Sequence, residues 1–361
     1  MRYLIAHYHI LKNAGSTIED ALDRSFGHRF ARFDKSGRDA TIPPAELLRF
    51  VEDNPELSAV SSHHIRYPLP EAPGILFFDI CILRDPIDRV RSMYAYYREK
   101  PDPGDPVSDL AASTNLGGFV AGMVRDYPLQ IRNVQVNLIA AAGDSDEPTP
   151  SDLEVATERM LAASLPGVVD CFDESARTGQ YFLRQVFPEL DFSLPPVNVS
   201  ARIGGDLQSQ TDPAVFDGLV RLNQLDLALV ERTRTEVKRR AALIPATPEP
   251  MPAADLFDAQ WYLRKYPDVA AARIDPLRHY RKHGAQEGRK PHPLIEYGRP
   301  HRLFDPDAGI PLQAALPVTS GPLLDIDDVP LDPASPRPEQ LRFVRAANPA
   351  QLRAQFCFKK R

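Results

Sequence analysis

Hydrophobic and polar positions near the amino terminus follow the pattern of a strand, a turn and a helix. Residues 2–10 alternate in the manner of a buried strand, and turn-forming residues follow at 13–15. Ser16 or Thr17 is expected to cap a helix that continues to about Phe26. The pattern therefore places a turn between the end of a strand and the start of a helix.

The same pattern recurs further along the chain. Residues 43–44 are prolines that open a predicted helix, and apolar runs follow at 57–61 and 74–83. The second run is rich in β-branched and aromatic side chains, which is typical of a central parallel strand. It breaks at residues 84–86, where Pro86 suits the first turn of another helix. Repetition of strand, turn and helix predicts an α/β domain with a central parallel sheet.

The remaining chain divides by composition. Residues 1–241 are predicted to form the α/β domain, with an exposed loop at 100–106, a short strand at 167–171 and continuous helical periodicity over 215–240. We expect a linker over 242–255, a small helical accessory module over 256–305 and a Pro-rich tail over 306–361.

Composition narrows the class of protein. The chain has 361 residues, a formal net charge of −6 and 36 prolines, about twice the ordinary proline usage. The acidic balance argues against a nucleic-acid-binding protein. Three cysteines form no disulfide framework or CxxC metal motif, and no apolar run is long enough to span a membrane. Without a signal-peptide core at the amino terminus, we expect a cytoplasmic protein.

The first turn carries chemistry that suits an anion. Lys12 and a run of backbone N–H groups stand where a helix begins, which is a ready-made anion site. The turn is not a Walker A loop, because that motif needs glycines before the lysine and Gly15 follows it here. An ordinary turn with no ligand is the alternative.

The second turn pairs a strand end with a helix that presents basic and hydroxyl groups. Arg84 ends the strand, and Arg89 and Ser92 lie on the following helix. Arg84 and Ser92 can converge on one phosphate. The alternative is that Arg84 and Asp85 only pair with each other and cap the helix.

Together the two turns resemble the nucleotide-binding motifs of sulfotransferases that use 3′-phosphoadenosine 5′-phosphosulfate (PAPS), especially carbohydrate sulfotransferases such as heparan sulfate 2-O-sulfotransferase and its bacterial relatives. The second motif matches nearly position by position, whereas Leu11 and residues 13–14 depart from the first. Weaker similarities lie at residues 133–135, 167–175 and 194–200. The resemblance implies a P-loop-like three-layer domain and a cofactor-binding set of Lys12, Asn13, Ala14, Gly15, Ser16, Thr17, Arg84, Arg89 and Ser92.

The resemblance also implies PAPS as co-substrate, a carbohydrate acceptor and no metal. Lys12 would stabilise charge on the leaving phosphate, and a general base would face the acceptor hydroxyl. In the heparan enzyme the base is a histidine at a corresponding strand end, and His64 is the best match, with His63 the alternative. His279 and His283 lack a third ligand for zinc and are expected to be packing or surface residues.

The predicted module resembles a short unit found beside bacterial polysaccharide enzymes, which implies an association with such enzymes. Its aromatic residues fit either a sugar platform or a small core; they are Trp261, Tyr262, Tyr266 and Tyr280. Two rival functions stay open, a nucleotide-dependent kinase and a non-catalytic scaffold that binds saccharides or enzymes and keeps a degenerate nucleotide fold.

Overall fold

The computed structural model describes residues 2–37, 40–70, 72, 75–184, 186–192, 207–242, 244, 259–284, 287 and 289. The expected tail, nearly all of the expected linker and the motif at 194–200 lie outside these residues. No helix in the described part of the chain is both long enough and apolar enough to cross a membrane.

A parallel sheet forms the centre of the fold. The described strands are β1 (Arg2–Tyr8), β2 (Phe30–Arg32), β3 (Ala59–Ser62), β4 (Ile75–Leu83) and β5 (Leu165–Val168). They lie in the order β2-β3-β1-β4-β5, and every neighbouring pair is parallel. The predicted α/β class with a central parallel sheet is confirmed.

Helices pack on both faces of the sheet. The helices over the described residues are α1 (Gly15–Phe26), α2 (Pro44–Asp53), α3 (Pro86–Glu99), α4 (Pro106–Ser113), α5 (Leu116–Asp126), α6 (Val134–Ala140), α7 (Pro150–Ala162), α8 (Phe172–Leu183), α9 (Leu207–Gln210), α10 (Pro213–Leu222), α11 (Gln224–Ala242), α12 (Ala259–Lys265), α13 (Pro267–Ala271) and α14 (Pro276–His279).

The alternation of side chains along the strands explains the three layers. Leu4 and Ala6 of β1 face one core, to which α2, α6, α7 and α11 contribute, whereas Ile5 faces a second core with α1 and α8. In β4, Phe77 likewise packs in the first core and Phe78 in the second. Because successive side chains of a strand point to opposite faces, a strand buried on both faces is apolar throughout.

The sheet places three loops at one edge. Tyr8, near the end of β1, is paired with Ser62 of β3 and Cys81 of β4. The chain then continues from these strands into the Lys12 turn, into His63 and into Arg84. Loops beyond the carboxyl ends of parallel strands are where open α/β folds bind ligands.

Several local predictions need correction. Neither Ser16 nor Thr17 caps α1, because the helix begins at Gly15 with Ala14 at the N-cap and no side-chain cap bond. The helix predicted over 215–240 is two helices that separate at Asn223. The last strand of the sheet begins and ends earlier than expected, and residues 169–171 form a 3-10 turn.

Aromatic residues of the predicted module form a small core. Tyr262 and Tyr280 are fully buried, and Trp261 is nearly so. His279 belongs to the same packing, since its Nδ1 lies 3.1 Å from the Tyr262 hydroxyl. The structure therefore supports the core interpretation of these aromatic residues over a sugar platform.

Candidate functional site

The Lys12 turn bends through left-handed backbone conformations. Lys12 and Ala14 have φ angles of 68° and 59°, which non-glycine residues adopt rarely and mostly where function or packing requires it. Gly15 follows, and a Cβ atom there would lie 1.9 Å from Cδ2 of His9. Only glycine leaves room for that imidazole at the start of α1.

Lys12 lies in a cluster of positive charge. Its Nζ lies 4.3 Å from the centre of the Tyr96 ring, a cation–π contact with helix α3. Burial lowers the pKa of Lys12, and the nearby cations Arg84 and Lys100 lower it further against the opposing effect of Glu99. An anion bound here would relieve this repulsion.

The amino end of α1 adds hydrogen-bond donors beside Lys12. The N–H groups of Thr17 and Ile18 already reach the carbonyl oxygen of Ala14. The N–H groups of Gly15 and Ser16 have no backbone acceptor among the described residues. A lysine and free helix N–H groups together are suited to a phosphate or sulfate oxygen.

Arg84 brings the second motif against the first. One terminal nitrogen of its guanidinium donates to the carbonyl oxygen of Lys12 at 3.1 Å. The other two nitrogens bind Asp88, with Nε at 2.7 Å. Asp85 instead caps α3 through the N–H groups of Ile87 and Asp88 at 2.9 and 3.0 Å. The alternative in which Arg84 pairs with Asp85 is therefore wrong in its partner, although its capping of the helix by Asp85 is confirmed.

Two side chains of α3 retain hydrogen-bonding capacity in buried positions. Arg89 is 2% exposed and donates to the Gln130 carbonyl at 3.2 Å, yet its Nε has no partner among the described residues. Burial lowers the pKa of Arg89. Ser92 lies one turn further along the same helix and is 4% exposed. A buried nitrogen such as the Arg89 Nε normally has a partner, and a phosphate oxygen would suit it, with the Ser92 hydroxyl as a second group on the same helix.

The residues at 133–135 connect the two turns. Gln135 is fully buried, and its side-chain amide contacts both Asn13 and the backbone of Arg84. Asn133 has a φ of 42° and caps the start of α11. These residues have structural roles that sequence pattern alone did not reveal.

His63 forms an acid–histidine pair with Asp34. Its Nδ1 lies 3.0 Å from Oδ2 of Asp34, and its backbone N–H donates to Oδ1 of the same carboxylate at 2.8 Å. Since a carboxylate only accepts, the Nδ1 of His63 carries the proton and Nε2 of the neutral ring keeps its lone pair. Hydrogen bonds from His63 and Ser62 outweigh the opposing effect of burial and lower the pKa of Asp34.

His64 is held differently. The backbone N–H of Lys35 donates to its Nδ1 at 3.1 Å, so the neutral ring carries its proton on Nε2 and has no free lone pair there. The side chain is 10% exposed, against 37% for His63. Asp34 Oδ1 also lies 3.3 Å from this Nδ1. Burial lowers the pKa of His64. Geometry thus favours His63, the alternative from sequence, over His64 as a proton acceptor.

A second acid–histidine pair lies beside the first. His9 Nδ1 contacts Glu19 Oε1 at 2.8 Å, and the ring of His9 stacks on that of His63 with 3.8 Å between centroids. Glu19 also accepts from Ser61 at 2.8 Å and from Arg32 at 2.8 Å. Burial alone would raise the pKa of Glu19, but these hydrogen bonds hold it well below its usual range.

Donor atoms of His7, His9 and Glu19 lie within 4.8 Å of one another. They are already joined, because His7 Nδ1 contacts the Ser61 hydroxyl at 2.8 Å and that hydroxyl donates to Glu19. A cation would have to displace these bonds beside the Arg32 guanidinium. The expectation that the chain uses no metal stays a prediction.

The structure therefore brings the Lys12 turn, Arg84 and the two histidines to the same edge of the sheet, and Arg89 and Ser92 lie on the helix that follows Arg84. Sequence reasoning missed Asp34, Glu19 and Tyr96. Tyr96 alone carried a signal, because it lies one helical turn beyond Ser92 in the second motif.

Comparison with known proteins adds one relative and no function. No protein-family model matches the chain. A protein from Archaeoglobus fulgidus is 27% identical over 243 residues, which are 64% of this chain and 96% of the relative. That protein is described as uncharacterized. The similarity indicates a related archaeal chain of nearly the same extent as the matched region.

Proposed function

We propose that this protein is a PAPS-dependent sulfotransferase that acts on a carbohydrate hydroxyl. The observation that carries the proposal is the contact between the two turns. The Arg84 guanidinium binds the carbonyl oxygen of Lys12. The turn proposed to hold a 5′-phosphosulfate therefore adjoins the turn proposed to hold a 3′-phosphate, beside an acid–histidine pair.

The donor fits the unfilled hydrogen-bonding capacity of the site. Lys12 and the N–H groups of Gly15 and Ser16 would hold the 5′-phosphosulfate, with Asn13 and Ala14 shaping the turn and Thr17 in the first turn of α1. Arg84, Ser92 and Arg89 would hold the 3′-phosphate, which gives the unpartnered Nε of Arg89 an acceptor. When bound, PAPS supplies an activated sulfuryl group.

The protein's own residues then serve three needs of the reaction. Lys12 places positive charge where the leaving phosphate becomes more negative. His63 accepts the proton of the acceptor hydroxyl at Nε2, while Asp34 holds its Nδ1–H and stabilises the resulting imidazolium. His64 fixes the loop that carries Asp34 through its bond with the Lys35 N–H.

The carbohydrate acceptor, cytoplasmic location and association with polysaccharide-synthesis enzymes form the finer part of the proposal. The acceptor and the association rest on the resemblance of the two motifs and of the module around Trp261, and the cytoplasmic location rests on the sequence pattern alone. A carbohydrate hydroxyl needs an open approach to His63, whose side chain is 37% exposed.

A non-catalytic scaffold is the second candidate, because Arg84 is already paired with Asp88. A catalytic protein would exchange part of that pairing for a ligand phosphate, whereas a scaffold would keep it. The kinase alternative gains nothing from the structure, since the Lys12 turn has no glycines before the lysine.

Transfer of radiolabelled sulfur distinguishes these functions. Wild-type protein would be incubated with sulfur-labelled PAPS and with chondroitin, heparosan or lipopolysaccharide as acceptors, alongside Lys12→Ala. We expect label on at least one polymer with wild type and a loss of about a hundredfold or more in the variant. Nucleotide binding without transfer to any acceptor would favour the scaffold.

A further inference from the structure

One buried amide bridges the two turns that form the candidate nucleotide site. Gln135 Oε1 accepts from Nδ2 of Asn13 at 2.7 Å and from the backbone N–H of Arg84 at 2.9 Å. Its Nε2 donates to the Arg84 carbonyl oxygen at 2.8 Å. Gln135 is 0% exposed, so water does not compete for these bonds.

Asn13 extends the bridge into the sheet. Its Nδ2 also donates to the carbonyl oxygen of Ile82 in β4 at 2.9 Å, and the residue is 1% exposed. Asn13 is one of the positions that depart from the sulfotransferase motif. Here it ties the Lys12 turn to the strand that ends just before Arg84, with Gln135 as its second acceptor.

The base of the bridge is fixed by reciprocal capping of two helices. The Asp226 carboxylate accepts from the N–H groups of Gln135 and Val136, at 3.0 and 2.8 Å, at the start of α6. Asn133 Oδ1 accepts from the N–H groups of Leu225 and Asp226, at 3.0 and 3.2 Å, at the start of α11. Asn133, at the start of α6, and Asp226, in α11, thus each supply an acceptor for N–H groups of the other helix that have no acceptor within their own helix.

We propose that Gln135 is a positioning residue that sets the spacing between the 5′- and 3′-phosphate sites and so confers preference for a nucleoside bisphosphate. The inference rests on the proposed function. A ligand that spans both turns gains affinity from their fixed spacing, because both turns are already ordered before the ligand binds. A ligand with one phosphate uses one turn and gains little.

Calorimetric titration of Gln135→Leu tests this role. The probes are 3′-phosphoadenosine 5′-phosphate, 5′-AMP and 3′-AMP, and the matched control is Asn137→Ala, on the same short helix. Asn137 bonds Ser145 rather than either turn. We expect bisphosphate affinity to fall by about tenfold or more and affinity for each monophosphate by less than about threefold. Equal losses for all three ligands, or no loss, would overturn the proposal.

A second measurement needs no nucleotide. Amide hydrogen exchange should accelerate in both turns, residues 10–16 and 82–88, in Gln135→Leu and in the milder Asn13→Ala, but not in Asn137→Ala. Unchanged exchange in both turns would overturn the positioning role. If wild type binds no bisphosphate yet the two turns loosen together, the proposed function fails and the structural coupling stands.

Discussion

At the scale of single residues, neighbouring histidines have opposite hydrogen-bond arrangements. His63 donates from Nδ1 to the Asp34 carboxylate, whereas His64 accepts at Nδ1 from the Lys35 backbone. The two rings therefore differ in which nitrogen holds the lone pair. Adjacent positions with the same residue type can be separated only by these contacts.

Substitution of the two histidines should have unequal effects on sulfuryl transfer. His63→Ala removes the proposed base and should lower kcat by about a hundredfold or more. His64→Ala should mainly reduce stability, because it frees the Lys35 N–H. The comparison is kcat for transfer from PAPS, with thermal unfolding of each variant as the control. A larger loss of kcat in His64→Ala than in His63→Ala would show that His64 is the general base.

The hydrogen-bonded Glu19 makes a pH-dependent contribution to stability. Its folded-state pKa is depressed, so the stabilisation is present above the ordinary carboxyl pKa of the unfolded chain and is lost as pH falls below it. Glu19→Gln should lower the free energy of unfolding near neutral pH by about 2 kcal/mol. Urea unfolding should show this difference shrinking below about pH 4. A difference that is constant with pH would contradict the assigned role.

At the scale of elements, the amino-terminal ends of several helices form the candidate site. α1 offers N–H groups beside Lys12, α3 begins at the Asp85 cap, and α6 and α11 cap each other through Asn133 and Asp226. A helix amino terminus is electropositive and hydrogen-bond deficient. This arrangement accommodates the buried carboxylate of Asp226, and under the proposed function it would also hold the phosphates of the nucleotide.

Two cap substitutions separate stability from site geometry. Asp105→Ala removes the cap of α4, which bonds the Ser108 N–H at 2.8 Å, and should cost about 1 kcal/mol. Asp226→Ala removes the cap of α6 and should cost about 2 kcal/mol. Only Asp226→Ala should also weaken bisphosphate binding. Equal binding by both variants would show that α6 does not support the site.

At the scale of the whole molecule, local order was predictable and long-range partners were not. Periodicity and turn residues identified β1, β4, α3 and the two turns, because these signals lie within a few residues of one another. Asp34 follows the three-residue strand β2, which has too few positions to show alternation. Its partner His63 lies 29 residues further along the sequence. The hydrogen bond between Gln135 and Asn13 joins residues that are 122 positions apart in the sequence, so no local pattern predicts it.

The acidic chain as a whole also conceals a local cationic site. A net charge of −6 describes the entire sequence, whereas burial and the nearby cations Arg84 and Lys100 lower the pKa of Lys12 at the end of the sheet. In about 0.1 M salt, the interaction between exposed charges that are more than about 10 Å apart is largely screened. Under the proposed function, these nearby cations rather than the net charge of the chain would favour an anionic ligand at this edge.

Titration with 3′-phosphoadenosine 5′-phosphate tests the central claim most directly. Wild type should bind it more tightly than AMP or ATP. Arg84→Ala should weaken binding by about 2 kcal/mol for a lost charged contact, roughly thirtyfold. The matched control is Arg91→Ala, since Arg91 also pairs with Asp88 and should bind the bisphosphate as wild type does. Absence of bisphosphate binding by wild type, or preference for ATP, would contradict the sulfotransferase assignment.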